Sequence, residues 1–506
     1  MFERSYNFDT QAETESFAEM LSLWARPGQL ILLEGELGAG KSTFARAFIK
    51  ALAKADDEFD IPSPSFSLIQ TYDNTRIPVA HIDLYRLHDE SQTTELGIAD
   101  LVPLHVVLVE WPDRLPKTLS AAKLHLHFSG SGEKRHVKLR AEKIWSEILD
   151  RNTQIEKFLA TTPWANTKRK FLEGDASSRR YETIERNKTV SIVMDMPQRP
   201  DGPPVKDGKP YSAIAHLAEN IQAVVAVNRH LLSENYSAPR IDAVDLNAGL
   251  AIIENLGVLV FGKMINAGAD MKEPMYTAVA VLADMAQKSW PTKLKLAEGP
   301  SHQVPFYDTE AQLIEADLLV SWFWQFIHGT KPPEELHQSF EAVWRKLLPH
   351  THADKPVWVM RDYHSPNLIW IPERIGLQRI GLIDTQDCLL GHPAYDLASM
   401  LQDARVDINF DFADTLYAHY ENLRMKKNAF DAPAFKLAYA ILGAQRTTKI
   451  LGIFARLAKR DGKPGYLKHM PRVSRYLSRN LQHQELAELL HWYQVNLPEA
   501  LSVGAP

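Results

Sequence analysis

Apolar positions along this chain switch repeatedly between a helical period and a strand period. Residues 12 to 25 put Ala12, Phe17, Ala18, Met20, Leu21, Leu23 and Trp24 at helical spacing and stop at Pro27-Gly28, which predicts an opening helix closed by a turn. The run Leu30 to Leu33 does not alternate and reads as a short buried strand, after which Phe44-Ala45-Arg46-Ala47-Phe48-Ile49 predicts a helix to about Lys54. Pro62 and Pro64 forbid a helix in the next stretch. Alternation returns in Ser67 to Tyr72, and two further strands, Pro78 to Asp83 and Val106 to Glu110, each end on a carboxylate. Lys123 to Phe128 and Arg135 to Leu139 flank Ser129-Gly130-Ser131-Gly132 and read as a closing hairpin.

The pattern then changes. Ile144 to Ala160 is helical and Thr161-Thr162-Pro163 breaks it, so a domain boundary is expected near 145–153, with domains over 1–145 and 153–506. Strand-like Tyr181 to Arg186 and Val190 to Met194 precede an exposed Pro-rich loop, Pro197 to Pro210, and a helix over Ser212 to Ser233. Strand Leu250 to Glu254 runs into Asn255-Leu256-Gly257, read as a hinge between two lobes near 254–257; beyond it the chain is mostly helical.

Composition narrows the class of protein. At 506 residues the length suits two or three domains of about 150 residues. The 45% hydrophobic and 24% charged fractions are ordinary globular values. A formal net charge of −6 gives no electrostatic case for direct, stable nucleic-acid binding. Cys388 stands alone, which excludes an internal disulfide framework and fits a reducing compartment; it is read as a core residue. Met1-Phe2-Glu3-Arg4-Ser5 does not open a signal peptide, and no apolar run reaches the roughly 18 residues that span a bilayer. A cytoplasmic protein without a membrane anchor is expected.

The first chemistry lies where the buried strand meets the second helix. Gly35-Glu36-Leu37-Gly38-Ala39-Gly40-Lys41-Ser42 has the spacing G-x-x-x-x-G-K-[ST], a phosphate loop in the strand–turn–helix context it needs. Glycines let consecutive backbone N–H groups converge on phosphate oxygens, and the helix N-terminus adds partial positive charge there. Lys41 reaches the β- and γ-phosphates and the Ser42 hydroxyl ligates Mg²⁺. Asp83 and Glu110 end strands on the side where open α/β sheets bind ligands, so each can hold Mg²⁺ directly, hold it through water, or orient an attacking water. Ser65 and its turn can sense the γ-phosphate.

Gly35 through Ser42 and Thr43, Ser63-Pro-Ser-Phe66, His81-Ile-Asp-Leu-Tyr-Arg86 and Glu110-Trp-Pro112, in that order, resemble the TsaE family over about residues 1–142. That family is the small ATPase of the bacterial machinery that makes threonylcarbamoyladenosine in tRNA. The resemblance implies ATP and Mg²⁺ binding, slow hydrolysis, partnership with TsaB- and TsaD-like proteins, and a nucleotide pocket lined by Trp111. Ser65 stands where the family usually has Thr, with the hydroxyl retained.

The second chemistry lies in Arg361-Asp362-Tyr363-His364-Ser365-Pro366-Asn367, the R-D-x-x-x-x-N spacing of a kinase catalytic loop. Such an Asp accepts the acceptor hydroxyl's proton and the Asn turns back to hold a metal; strand Ile380 to Ile383 then delivers Asp384 as a second metal-binding acid. His364 is read as an orienting or structural member of the loop. Together with Gly174 to Tyr181, Ile383 to Asp387 and Tyr395 to Ser399, these residues resemble the aminoglycoside phosphotransferase-like kinases over about 153–500. Arg446, Ile453 to Ala458, Asp461 to Pro464 and Pro471-Arg472 look most like the AmgK subgroup. That resemblance implies phosphorylation of the anomeric hydroxyl of N-acetylmuramate or N-acetylglucosamine in cell-wall recycling, and a nucleotide at the hinge by Glu254 and Leu256.

Two departures stand out. Met360 occupies a position where His is commoner, and no Lys ends the strand Val190 to Met194. Arg179 or Arg180 is expected to supply the missing positive charge, and Glu219 is a candidate partner on the following helix. The fold expected is α/β: an N-terminal P-loop NTPase domain followed by a two-lobed protein-kinase-like domain of the aminoglycoside phosphotransferase type. Two alternatives remain open for the second half, a catalytically silent scaffold for the ATPase and a kinase for another small hydroxylated acceptor.

Overall fold

The computed structural model of the protein describes residues 2–53, 60–87, 90–115, 119, 122–173, 179–198, 200–426 and 430–503. Lys54 and residues 174–178 of the motifs above lie outside them. The chain divides into two compact units, Met1–Glu173 with Glu182–Thr189, and Gly174–Tyr181 with Val190–Pro506.

The first unit is built on a seven-stranded sheet. Its strands are β1 (Phe2–Phe8), β2 (Gln29–Gly35), β3 (Ile69–Tyr72), β4 (Val79–Asp83), β5 (Val106–Glu110), β6 (Ala122–Ser129) and β7 (Arg135–Ala141), in the order β1-β7-β6-β2-β5-β4-β3. β2 runs parallel to both β5 and β6, and β4 parallel to β5. These central strands are buried on both faces, which is why Leu30 to Leu33 and Val106 to Val109 carry no alternation. β1, absent from the sequence reading, pairs antiparallel with β7 at the sheet edge. β3 begins two residues later than expected because Leu68 has a left-handed backbone, φ 66°.

Helix α1 (Gln11–Ser22) starts on a capping box, with the Thr10 hydroxyl accepting from Glu13 N–H and the Glu13 carboxylate accepting from Thr10 N–H. It packs against α2 (Lys41–Leu52), whose buried face is Phe44, Ala45, Phe48, Ile49 and Leu52. The helix Lys143–Ala160 buries Trp145 and Leu149 against β1, β6 and β7. Register does the functional work: Glu110 lies opposite Leu33 on one side and Asp83 on the other, so both acids sit in a row beside the end of β2. Gly35 closes that row. Its φ is 134°, and a Cβ there would lie 2.3 Å from the Phe128 carbonyl oxygen.

In the second unit, strand Leu250–Glu254 pairs antiparallel with Thr189–Asp195 and with Ile241–Asp245. The helix expected over Ser212 to Ser233 is broken into Tyr211–Ile214 and Ile221–Ser233. The break has both local and distant causes: His216 has φ 53°, Asn220 caps the second piece through Gln222 N–H, and the far-off Asp387 carboxylate accepts from Ala218 N–H. Glu219 therefore lies ahead of the helix cap, not on the helix as expected. Pro204–Lys206 and Lys209–Pro210 pair as a two-stranded ribbon inside the stretch read as an exposed loop.

Beyond Gly257, strands Val357–Val359 and Leu389–Gly391 pair, and Leu368–Trp370 with Ile380–Leu382 forms a second ribbon. Around them pack helices that include Lys272–Met285, Thr309–Ala316, Ala394–Leu401 and the long Ala432–Lys459. Gly452 sits in that long helix where it crosses the backbone at Leu318; an added Cβ would lie 2.3 Å from the Leu318 carbonyl carbon. Gly452→Ala is expected to destabilise the second unit by roughly 1–3 kcal/mol, as overpacking against backbone does. Gly465→Ala, with nothing within 4 Å of its added Cβ, should stay within about 0.5 kcal/mol of the parent. Urea unfolding of the full chain measures both, and equal midpoints for the two variants would contradict the packing argument.

Candidate active sites

The first site forms at the ends of β2, β4 and β5. Lys41 is buried, and its Nζ donates to the carbonyls of Gly35 and Glu36 at 2.8 Å each. The same ammonium lies 4.2 Å from the centre of the Trp111 ring. Burial pulls its pKa down while Glu110 and Asp83 pull the other way, with a net lowering. Ser42 Oγ donates to Glu110 Oε2 at 3.0 Å, and the other oxygen of Glu110 faces His81 Nε2 at 3.0 Å. Asp83 accepts from Ser65 Oγ at 2.8 Å and from Tyr85 N–H at 2.9 Å. Gly38 and Gly40 have φ of 78° and 106°, backbone that only glycine adopts readily. Leu37 is exposed at the rim, and Ala39 and Thr43 flank the turn into α2.

The donor set suits magnesium. A hydroxyl and one or two carboxylates are hard oxygen ligands, and Mg²⁺ completes its shell with waters and substrate phosphates. Among the described residues no three His, Cys, Asp or Glu side chains gather as a candidate metal cage.

The second site is assembled by buried charges. Asp396 accepts from Met360 N–H at 2.6 Å and Arg361 N–H at 2.9 Å, clamping the chain as it leaves strand Val357–Val359. Arg361 has φ 68°. Its guanidinium is buried and donates to the Ala215 carbonyl at 2.9 Å and to Glu315. Glu315 also receives Lys449 Nζ at 3.0 Å and the Tyr307 hydroxyl at 2.5 Å. Burial alone would raise the Glu315 pKa, but Arg361 and Lys449 overcome it and hold it at about 2.

Asp362 follows this anchored arginine with its side chain 38% exposed, open enough to meet a substrate. Burial of its surroundings acts upward on its pKa; His364, Lys449, Arg446 and Arg361 outweigh that and bring it to about 2. His364 is pushed down to about 4 by burial, so it is neutral at pH 7 and takes up its proton in acid, while Asp362 is still ionised. Arg446 Nη2 lies 3.3 Å from His364 Nδ1, and His364 Nε2 lies 4.0 Å from Asp362 Oδ1. Asn367 Nδ2 donates to the Asp362 carbonyl at 3.1 Å, and Ile383 N–H donates to the Asn367 carbonyl at 3.1 Å. The ribbon Leu368–Trp370/Ile380–Leu382 thus starts just after Asn367 and ends just before Asp384. Asp384 has φ 62° and pairs with Arg179 Nη1 at 2.6 Å; burial raises its pKa against the pull of Arg179.

At the end of strand Leu250–Glu254, Glu254 accepts from Arg374 Nη2 at 2.9 Å and from Arg240 N–H at 3.2 Å. Leu256 packs with Ile369 and Ile371, and Val260 and Ile383 extend that apolar surface. It leads directly to Asp384 through Ile383. Cys388 is fully buried.

Asp396, Glu315 and Lys449 carried no role in the sequence reading. The available signal was a lone charge in an apolar run: Glu315 in Leu313-Ile314-Glu315-Ala316, and Lys449 before Ile450-Leu451.

Fold and sites together define a chain that joins a phosphate-loop nucleotide-binding unit to a kinase-like phosphotransferase. The family model for the threonylcarbamoyl adenosine biosynthesis protein TsaE matches residues 8–137, and that of the phosphotransferase enzyme family matches 168–434. An N-acetylmuramate/N-acetylglucosamine kinase of Caulobacter vibrioides is 36% identical over 351 residues, 67% of this chain and 95% of the relative. One of Pseudomonas putida is 28% identical over 319 residues, 62% of this chain and 84% of the relative. The TsaE protein of Bacillus subtilis is 34% identical over 122 residues, 24% of this chain and 74% of the relative. The chain belongs to the TsaE family in its first part and to the phosphotransferase enzyme family in its second.

Glu315→Ala is expected to leave Arg361 and Lys449 buried without their carboxylate and to cost roughly 3–5 kcal/mol. Denaturant unfolding of the full chain measures it; a loss below about 1 kcal/mol would contradict the anchoring role.

Proposed function

We propose that the chain is a bifunctional enzyme. Its first part, over 1–145, is an ATPase supporting N6-threonylcarbamoyladenosine formation in tRNA together with TsaB- and TsaD-like proteins. Its second part, over 153–506 with a hinge near 254–257, uses ATP to phosphorylate the anomeric hydroxyl of N-acetylmuramate or N-acetylglucosamine, a step of cell-wall recycling. The observation that carries the kinase reading is the clamped loop that presents an ionised, part-exposed Asp362 next to the Asn367–Asp384 ribbon. The likeness to the Caulobacter kinase over 95% of that protein's length supports the choice of acceptor.

In the first site the Gly35–Gly40 backbone and Lys41 cradle the phosphates, Lys41 exchanging two carbonyl partners for phosphate oxygens. Ser42, Asp83 and Glu110 hold the metal or orient the attacking water, and Trp111 lines the nucleotide pocket. In the second site Leu256 and the apolar residues beside it seat the adenine, Glu254 marks the hinge edge of that pocket, and Asn367 and Asp384 hold the metal. Magnesium, when bound in either site, neutralises charge on the transferring phosphate. Asp362 is ionised at neutral pH, orients the sugar C1 hydroxyl and takes its proton as the new O–P bond forms and the bond to the ADP oxygen breaks. No helix of the described residues is long and apolar enough to cross a membrane, and we place the protein in the cytoplasm, where ATP is available.

³¹P NMR of the full chain with MgATP and N-acetylmuramate or N-acetylglucosamine tests the kinase. A sugar 1-phosphate resonance is expected, formed at least about a hundredfold more slowly by Asp362→Asn. Phosphate release without a sugar phosphate would overturn the kinase reading and leave a silent scaffold. Turnover of a different hydroxylated acceptor alone would overturn the choice of sugar.

A further inference from the structure

The strand that should end on a phosphate-binding lysine, Thr189–Asp195, ends on Met194-Asp195. A cation nevertheless reaches the transfer end of the second site by another route. Arg179, immediately before the strand Arg180–Arg186, places its guanidinium on Asp384 with Nη1 2.6 Å from Oδ1. Both side chains are largely buried, 13% and 23% exposed, and the Asp387 carboxylate adds to the negative field on Arg179. Of the other buried cations near the loop, Arg361 and Lys449 are committed to Glu315, and Arg446 places Nη2 against the His364 ring while its Nη1 has no hydrogen-bond partner among the described residues.

The pairing has a chemical consequence. Asp384 is the acid assigned above to the metal, so Arg179 and a divalent cation compete for one carboxylate. Were a metal to take Asp384, the guanidinium would be released on the side where phosphates would lie, and its planar fork of N–H donors matches phosphate oxygens.

We propose that Arg179 is the phosphate-binding cation of the kinase site, standing in for the absent strand lysine and covering Asp384 until nucleotide and metal arrive. The proposal rests on the kinase reading for the role of Asp384, and resolves the choice between Arg179 and Arg180 in favour of Arg179. Removing Arg179 has two effects of opposite sign. Asp384 is uncovered, so the nucleotide-free chain binds a divalent cation more tightly; a phosphate contact is lost, so nucleotide binds more weakly. A purely structural ion pair would not split in this way.

The test uses the full chain carrying Lys41→Ala, which weakens nucleotide binding at the first site, with Asp384→Asn as the blank. Mn²⁺ binding without nucleotide is followed by electron paramagnetic resonance, and binding of a fluorescent ATP analogue with Mg²⁺ by titration. Arg179→Ala is expected to tighten the Asp384-dependent Mn²⁺ site by about tenfold and to weaken the analogue by about ten- to a hundredfold. Arg179→Lys, which keeps the charge but not the fork, should restore part of the nucleotide affinity. Unchanged affinities, or metal and nucleotide weakened together, would overturn the proposal. These titrations need no sugar, so they decide on Arg179 even if no sugar phosphate forms in the NMR experiment.

Discussion

Glu315 is a carboxylate shut away from water, and it is tolerable there because Arg361 and Lys449 neutralise it. Much of the second unit's function follows from that ion cluster. Arg361 is drawn inward, its backbone takes a left-handed conformation, and Asp396 fastens the Met360 and Arg361 N–H groups that lead into the bend. The next residue, Asp362, is therefore turned outward at a fixed place. The same cations keep it ionised. The buried ion cluster thus supplies position and protonation state together.

The two units meet the same demand, a polyanionic group in transfer, with different geometry. In the first, parallel strands bring Asp83 and Glu110 side by side at the end of the strand that opens the phosphate loop, and α2 begins where the loop ends. In the second, a short antiparallel ribbon carries Asn367 and Asp384 at its two ends. Each unit also holds a cation near its acids: Lys41 rests on loop carbonyls beside Trp111, and Arg179 rests on Asp384. On the proposed reading, each of these cations would exchange its present partners for phosphate oxygens.

What was legible in the sequence was local. Gly35 to Ser42 and the Asp362–Asn367 loop have fixed spacings set by backbone geometry, so their chemistry could be read without a fold. Strands with buried faces on both sides, Leu30 to Leu33 and Val106 to Val109, announced themselves as unbroken apolar runs. Contacts across long separations left no such trace. Asp396 holds residues 360 and 361, and Lys449 reaches Glu315; a lone charge in an apolar helix hinted at the latter without naming a partner. The break at 215–220 escaped notice because it is made by Asp387 and by the Asn220 cap, not by Pro or Gly. Edge strand β1 was missed because its pattern is mostly exposed.

The central claim is that one chain carries two separate and complete phosphate-handling sites, organised by Lys41 and by Asp362. A crossed experiment tests it directly, with phosphate release and sugar phosphorylation both measured in Lys41→Ala and in Asp362→Asn. Lys41→Ala should abolish the acceptor-independent phosphate release and spare sugar phosphorylation, while Asp362→Asn should do the reverse. Loss of both activities in either single variant would contradict the account.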